Sequence, residues 1–160
     1  MPQPIRVLFV CLGNICRSPT AQGVLEGRLK AAGLADSVSV DSCGTGNWHV
    51  GEPADARASA AAKARGYDLS ALRARQFVPE DLDEFDYVLT MDRQNQRDIA
   101  AFASVHSRTQ PRLFLEFAGD AAEQEVPDPY YGGQDGFAHV LDLVEAASDG
   151  LIEVIKERLK

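Results

Sequence analysis

Short apolar runs alternate with segments of helical period along the whole chain, and this alternation restricts the fold more than any other feature. "IRVLFV" (5–10) is rich in β-branched and aromatic residues and predicts a buried strand. From Ser18, residues Ala21, Val24, Leu25 and Leu29 recur at helical spacing until Gly33 closes the segment. "SVSVDS" (37–42) predicts a second strand, and "PADARASAAAKARG" (53–66) an alanine-rich helix ending at Gly66. "DYVLTM" (86–91) predicts a third strand followed by a helix starting at Asp92, and "RLFLEF" (112–117) a fourth strand. A long loop (118–135) then leads to a C-terminal helix with Phe137, Val140, Leu141, Val144, Leu151 and Ile155 on one face and Gly150 as a candidate break.

Strands that alternate with helices predict an α/β fold, a three-layer sandwich with a central, mostly four-stranded parallel sheet and helices on both faces. The 160 residues carry no internal repeat, low-complexity tract or long linker, so residues 1–160 are expected to form a single domain. In such folds ligands gather outside the carboxyl ends of the strands, at a topological switch point. The loop after the first strand, residues 11 to 18, belongs there, and the loops after the other strands open on the same side.

Composition narrows the function classes. No uninterrupted apolar stretch approaches the length of a membrane span, and "MPQPIR" lacks the apolar core of a secretory signal, so a cytoplasmic chain is expected. A formal net charge of -8 argues against nucleic acid or an anionic membrane as a partner. The same charge repels any anionic substrate, so an anion site here needs a local concentration of donors. Three cysteines, Cys11, Cys16 and Cys43, suit free thiols in a reducing compartment better than a disulfide framework. Cys43 reads as an inert core thiol. His49, His106 and His139 are scattered, and only His49, beside Trp48, falls near the expected site.

Such a concentration of donors stands at the first joint, "VLFVCLGNICRSPTAQ" (7–22). Cys11 follows the strand directly and Arg17 stands six residues on. Ser18 reads as the cap of the next helix and Pro19 as a residue near its first position. Backbone N–H groups curling between them, at the positive end of a helix, can bind a phosphate-like dianion. Gly13 and Asn14 tolerate the left-handed conformations that a tight cradle requires. Arg17 can add a bidentate fork to two phosphate oxygens, and the same positive charge favours the thiolate of Cys11. Ser18 can donate a hydrogen bond to that sulfur. On the residues alone, Cys11 as a small buried hydrophobe and Arg17 as a surface cation remain the alternative. Downstream, "VPDPYYGG" (126–133) suits a mobile acid-bearing loop: two prolines stiffen it around Asp128, and Gly132 and Gly133 loosen its far end. An ordinary turn starting at Asp-Pro remains the alternative there.

"VCLGNICRSP" resembles the active-site loop of the low-molecular-weight protein tyrosine phosphatases, whose pattern is V-C-x-G-N-x-C-R-S-P near the N-terminus. "DSCGTGNWHVGEPADARA" resembles that family's segment after the second strand, "FDYVLTMD" its third strand and "DPYYG" (128–132) its general-acid loop. The resemblance implies a metal-independent protein tyrosine phosphatase without a cofactor, with Cys11 as nucleophile. Arg17 and the loop residues Leu12, Gly13, Asn14, Ile15, Cys16 and Ser18 would bind phosphate, and Asp128 would serve as general acid and base. Trp48 and Tyr130 would wall the cleft, with Tyr131 on the same rim. Asn14 would be pinned by Ser18 and Ser42, while Leu72 stands where the family has a histidine that completes that support. Cys16 would close a reversible disulfide with Cys11. Phosphotyrosine proteins, a bacterial-type tyrosine kinase among them, would be the partners of a monomer or weak dimer. Two other readings stand beside this one. A thiol-linked oxyanion reductase needs further cysteines to relay a disulfide, and only Cys43 is left over. A phosphotyrosine-reading module needs neither nucleophile nor acid, and both are present.

Overall fold

A computed structural model describes residues 3–119, 123–130 and 134–160. Tyr131, Gly132 and Gly133, named above, lie outside the described residues. Among the described residues four strands, β1 (Ile5–Cys11), β2 (Val38–Gly44), β3 (Tyr87–Thr90) and β4 (Pro111–Leu113), form one sheet of order β2-β1-β3-β4 with these pairings parallel. Among the described residues five α-helices accompany them: α1 (Arg17–Ala31), α2 (Ala56–Ala64), α3 (Asp81–Glu84), α4 (Arg93–Ala100) and α5 (Gln134–Arg158). None of the described helices is long and apolar enough to cross a membrane.

The pleat of β1 explains the layers. Its side chains alternate between faces, so Ile5, Val7, Phe9 and Cys11 enter one core with Val24, Leu25 and Leu29 of α1 and Val140, Leu141, Val144 and Leu151 of α5. Leu8 and Val10 enter a second core with Leu82 of α3, Ile99 of α4, Phe77 and Phe85. A central parallel strand buried on both faces therefore reads as an unbroken apolar run, as "IRVLFV" does. The expected three-layer α/β sandwich is the observed fold.

Element ends follow local chemistry. Helix α1 ends in a Schellman motif, with Gly33 at φ 74° and its follower Leu34 donating to the Leu29 carbonyl at 2.8 Å. The alanine-rich helix is shorter than the expected 53–66. Asp55 accepts from the amides of Arg57 and Ala58 and so starts α2 at Ala56, and Gly66 at φ 92° follows its end.

Two expectations are corrected. "RLFLEF" is not a strand throughout: β4 stops at Leu113, and Phe114–Ala118 is a 3₁₀ turn. The three-residue period puts Phe114 and Phe117 on one side. Phe114 packs edge-on against Phe9 with ring centroids 4.7 Å apart, and Phe117 against Tyr87 at 6.2 Å. A strand would have sent these rings to opposite faces. Gly150 does not break the last helix, since α5 runs on to Arg158. A β-carbon at Gly150 would lie 1.8 Å from the Phe117 carbonyl oxygen, so the glycine lets the 3₁₀ turn press against the helix.

Candidate active site

The site lies at the carboxyl ends of the strands. Cys11 is the last residue of β1, only 2% exposed, and the loop beyond it turns back through Asn14 at φ 58°. Ser18 Oγ sits 3.0 Å from Cys11 Sγ, and the Asn14 amide donates to the same sulfur at 3.3 Å. Helix α1 begins at Arg17 behind N-cap Cys16, two residues before the expected Ser18 cap, and Cys16 gives its first turn no side-chain hydrogen bond. Ser18 is thus inside the helix, and its hydroxyl is engaged by Cys11, Asn14 and the Cys43 carbonyl instead of capping. Pro19 in that turn has no N–H to satisfy, and the remaining orphan amides are available to a ligand.

Asn14 is held from three sides. Its Nδ2 donates to Ser18 Oγ at 2.8 Å and Ser42 Oγ at 3.0 Å, and its Oδ1 accepts from the Arg75 amide at 3.0 Å. The Ser42 hydroxyl in turn donates to Gln22 Oε1 at 2.7 Å. Leu72, at the position where the resemblance implied a histidine, packs half-buried against the larger core. Arg75 is itself fixed by a bidentate pair with Asp81 and a third contact with Asp41.

Arg17 is a buried cation, 3% exposed. Its guanidinium donates to Asp92 Oδ2 at 2.6 Å and the Val126 carbonyl at 3.1 Å, and its other terminal nitrogen lies 3.8 Å from Asp128 Oδ2. Burial opposes the charge, but Cys11, Asp92 and Asp128 outweigh that cost and hold the arginine protonated above its ordinary range. Asp92 serves two elements at once. Its Oδ1 accepts from the Asn95 amide at 2.7 Å within a capping box that starts α4, while Oδ2 holds Arg17. The acid-bearing segment is docked across β3 by the Val126 amide, which donates to the Met91 carbonyl at 2.7 Å.

These groups open into a cavity of about 240 Å³ lined by Cys11, Leu12, Gly13, Ile15, Cys16, Arg17, Trp48, His49, Asp128 and Tyr130. Asn14, Ser18 and Ser42 stand behind it as buried supports. Burial, then the negative fields of Asp55, Cys11 and Asp128, push the Cys16 thiol up to about 12, so it keeps its proton at neutral pH. Burial likewise pushes the Cys43 thiol well up, as suits a core thiol. Among the described residues no group of three or more His, Cys, Asp or Glu could share a metal ion.

The family model described as low molecular weight phosphotyrosine protein phosphatase matches residues 6–160. The chain belongs to this family. It is 42% identical to a low molecular weight protein-tyrosine-phosphatase of Streptomyces coelicolor, over 97% of this chain and 96% of that one. It is 46% identical to a low molecular weight phosphotyrosine protein phosphatase of Schizosaccharomyces pombe, over 86% and 88%. A crystal structure of a protein tyrosine phosphatase from Entamoeba histolytica, with Hepes in its active site, superposes with a TM-score of 0.92 at 36% identity, covering 98% of this chain and 99% of that one.

Several residues of this phosphatase-family site escape a reading of sequence alone. Gly44 ends β2 against the loop: a β-carbon there would lie 2.8 Å from the Leu12 carbonyl oxygen and 3.2 Å from the Asn14 nitrogen. Arg57 stacks 5.3 Å above the Tyr130 ring and 5.0 Å above Phe137, and Asp55 fixes it through two contacts of 3.1 Å. His49, which sequence already places near the site, lies over Gly13, whose missing side chain makes room for the ring, and its Nδ1 is paired with Glu52. Asp92 is not one of these: sequence places it as a helix cap at the carboxyl end of the third strand that also faces the site, and the structure adds its pairing with Arg17. His106 and His139 do not line the cavity.

Proposed function

We propose that the protein hydrolyses phosphotyrosine in proteins, and small aryl phosphates, through a phosphocysteine intermediate. The observation that carries this reading is the convergence of Cys11, Arg17 and Asp128 on one cavity at the carboxyl end of a parallel sheet. In the first step the Cys11 thiolate attacks phosphorus in line. Arg17 and the amides of residues 12 to 17 hold the equatorial oxygens as charge redistributes. Asp128, protonated, gives its proton to the departing phenolate, and a tyrosine is released. In the second step Asp128 takes a proton from water, the oxygen attacks the phosphocysteine, and inorganic phosphate leaves as Cys11 returns to thiolate. The Ser18 hydroxyl, 3.0 Å from the sulfur, donates to that thiolate in both steps.

Trp48 and Tyr130 supply aromatic surface to the cavity, which favours a phenyl ring between phosphate and protein chain over the shorter arm of phosphoserine. Cys16 lines the same cavity as Cys11, so once a peroxide has oxidised the Cys11 thiolate to a sulfenic acid, attack of the Cys16 sulfur on it would close a disulfide with loss of water. The partner class is a phosphotyrosine protein, with a bacterial-type tyrosine kinase as one candidate. The setting we assign is the cytoplasm, and the form a monomer or weak dimer.

The test compares wild type, Cys11→Ser and Asp128→Ala on an aryl phosphate, with reductant and chelator present. Cys11→Ser should abolish turnover. Asp128→Ala should slow it roughly a hundred- to ten-thousand-fold while phosphate still binds. Undiminished turnover by Cys11→Ser would refute the mechanism.

A further inference from the structure

A second cavity, of about 310 Å³, adjoins the phosphate cleft on the far side of Trp48. Leu12 and Trp48 line both cavities, while Phe77, Ile99 and Phe102 line the second alone, with Asp98 also among its lining residues. The rings of Phe77 and Phe102 lie 5.9 Å apart, and Phe102 stands just past the end of α4 with its amide bonded to the Ile99 carbonyl. Trp48 acts as a shared wall because of Gly46: a β-carbon there would fall 1.8 Å from the indole. The indole thus lies against bare backbone and is 63% exposed.

Single exposed apolar residues are ordinary, but here they are joined. Leu12, Trp48 and Phe102 are 41%, 63% and 56% exposed and line one groove that begins at the mouth of the phosphate cleft. Joined apolar surface beside a binding cleft marks a place where a ligand continues. A protein substrate does continue, because successive residues of an extended chain advance roughly 3.3–3.6 Å each. The residue next to a cleft-bound phosphotyrosine therefore comes within reach of the Leu12–Trp48 wall and the groove behind it. The Asp98 carboxylate, together with a chain of net charge -8, disfavours an acidic side chain there.

We propose that the groove between Trp48 and Phe102 is a specificity subsite that takes an apolar side chain flanking the phosphotyrosine of a protein substrate and discriminates against an acidic one. This rests on the phosphatase reading above and names the substrate class within it. A small aryl phosphate has no flanking residue and does not use the groove.

The experiment measures kcat/KM for p-nitrophenyl phosphate and for phosphotyrosine peptides carrying Leu, Ala or Asp at each flanking position in turn. The enzymes are wild type, Phe102→Ala and Asp98→Asn. Wild type should prefer Leu over Ala at one flank by roughly tenfold, the discrimination a small apolar pocket can give, and should use the Asp peptide least. Phe102→Ala should reduce the Leu preference to less than about twofold with p-nitrophenyl phosphate turnover unchanged. Asp98→Asn should raise kcat/KM for the Asp peptide alone. Normal p-nitrophenyl phosphate turnover with no Leu preference, or with one that survives in Phe102→Ala, would overturn the subsite. Loss of p-nitrophenyl phosphate turnover in Phe102→Ala would also overturn it, by making Phe102 part of the scaffold. Wild type inert towards p-nitrophenyl phosphate would overturn the phosphatase reading and the subsite together.

Discussion

Among the described residues Asn14 alone combines a side chain with a positive φ, and the reason lies in what its amide reaches. The left-handed backbone brings its N–H to Cys11 Sγ and its side chain to Ser18, Ser42 and Arg75. Asparagine accepts that conformation at less cost than other non-glycine residues. Two substitutions separate conformation from bonding. Asn14→Gly keeps the backbone free to adopt φ 58° and loses the side-chain bonds, which leaves buried partners unsatisfied at about 1–3 kcal/mol. Asn14→Ala loses the same bonds and adds about 1–2 kcal/mol of left-handed strain. Both variants should turn over aryl phosphate more slowly, and urea titration should place Ala below Gly in stability. Equal stability of the two would show that the conformation is not held against strain.

At the scale of elements, the close approaches matter more than the periodic patterns. Gly150 is the clearest case, with α5 and the 3₁₀ turn meeting backbone to backbone. Gly150→Ala raises helix propensity, and in an open helix would stabilise by about 1 kcal/mol. Here its β-carbon would meet the Phe117 carbonyl at 1.8 Å, so we expect a net loss of about 1–3 kcal/mol and a lower Tm by calorimetry. A rise in Tm would contradict the packing. The same distinction explains what sequence could reveal. The strand-loop-helix joint at 5–29 was legible because its signals are local: an apolar run, a cysteine, a glycine-asparagine pair and an arginine. "RLFLEF" misled because an apolar run has no way to display that Phe114 and Phe117 share a side. Gly44 gave no signal and Gly150 misled as a helix break, since what forbids their side chains is backbone distant in the chain.

On the scale of the whole molecule, the parallel topology gathers loops after all four strands at one end of the sheet: Cys11 and Arg17 after β1, Trp48 after β2, Asp92 after β3 and Asp128 after β4. The opposite end is tied by Asp86. Its side chain, 5% exposed, accepts from the Arg6 amide at 2.8 Å and pairs with Arg108 at 2.6 Å and Arg158 at 3.2 Å. Burial pushes this carboxyl up, but the Arg6 amide and the two guanidinium groups outweigh it and hold it below the usual range. A carboxyl lowered by folding stabilises fully above its unfolded value of about 4, and that stabilisation is lost as pH falls through the folded value. Asp86→Asn should therefore lower Tm at pH 7, and the gap to wild type should shrink as pH drops below about 4. A gap constant with pH would contradict the assignment.

The central claim, that Cys11 takes the phosphoryl group, is tested most directly by trapping it. Rapid acid quench of the Asp128→Ala protein during turnover of an aryl phosphate, followed by peptide mass analysis, locates any covalent phosphate. One phosphoryl group is expected on the peptide holding Cys11 and none in the Cys11→Ser protein. Steady turnover with no phosphorylated Cys11, or with the phosphate on another residue, would contradict it.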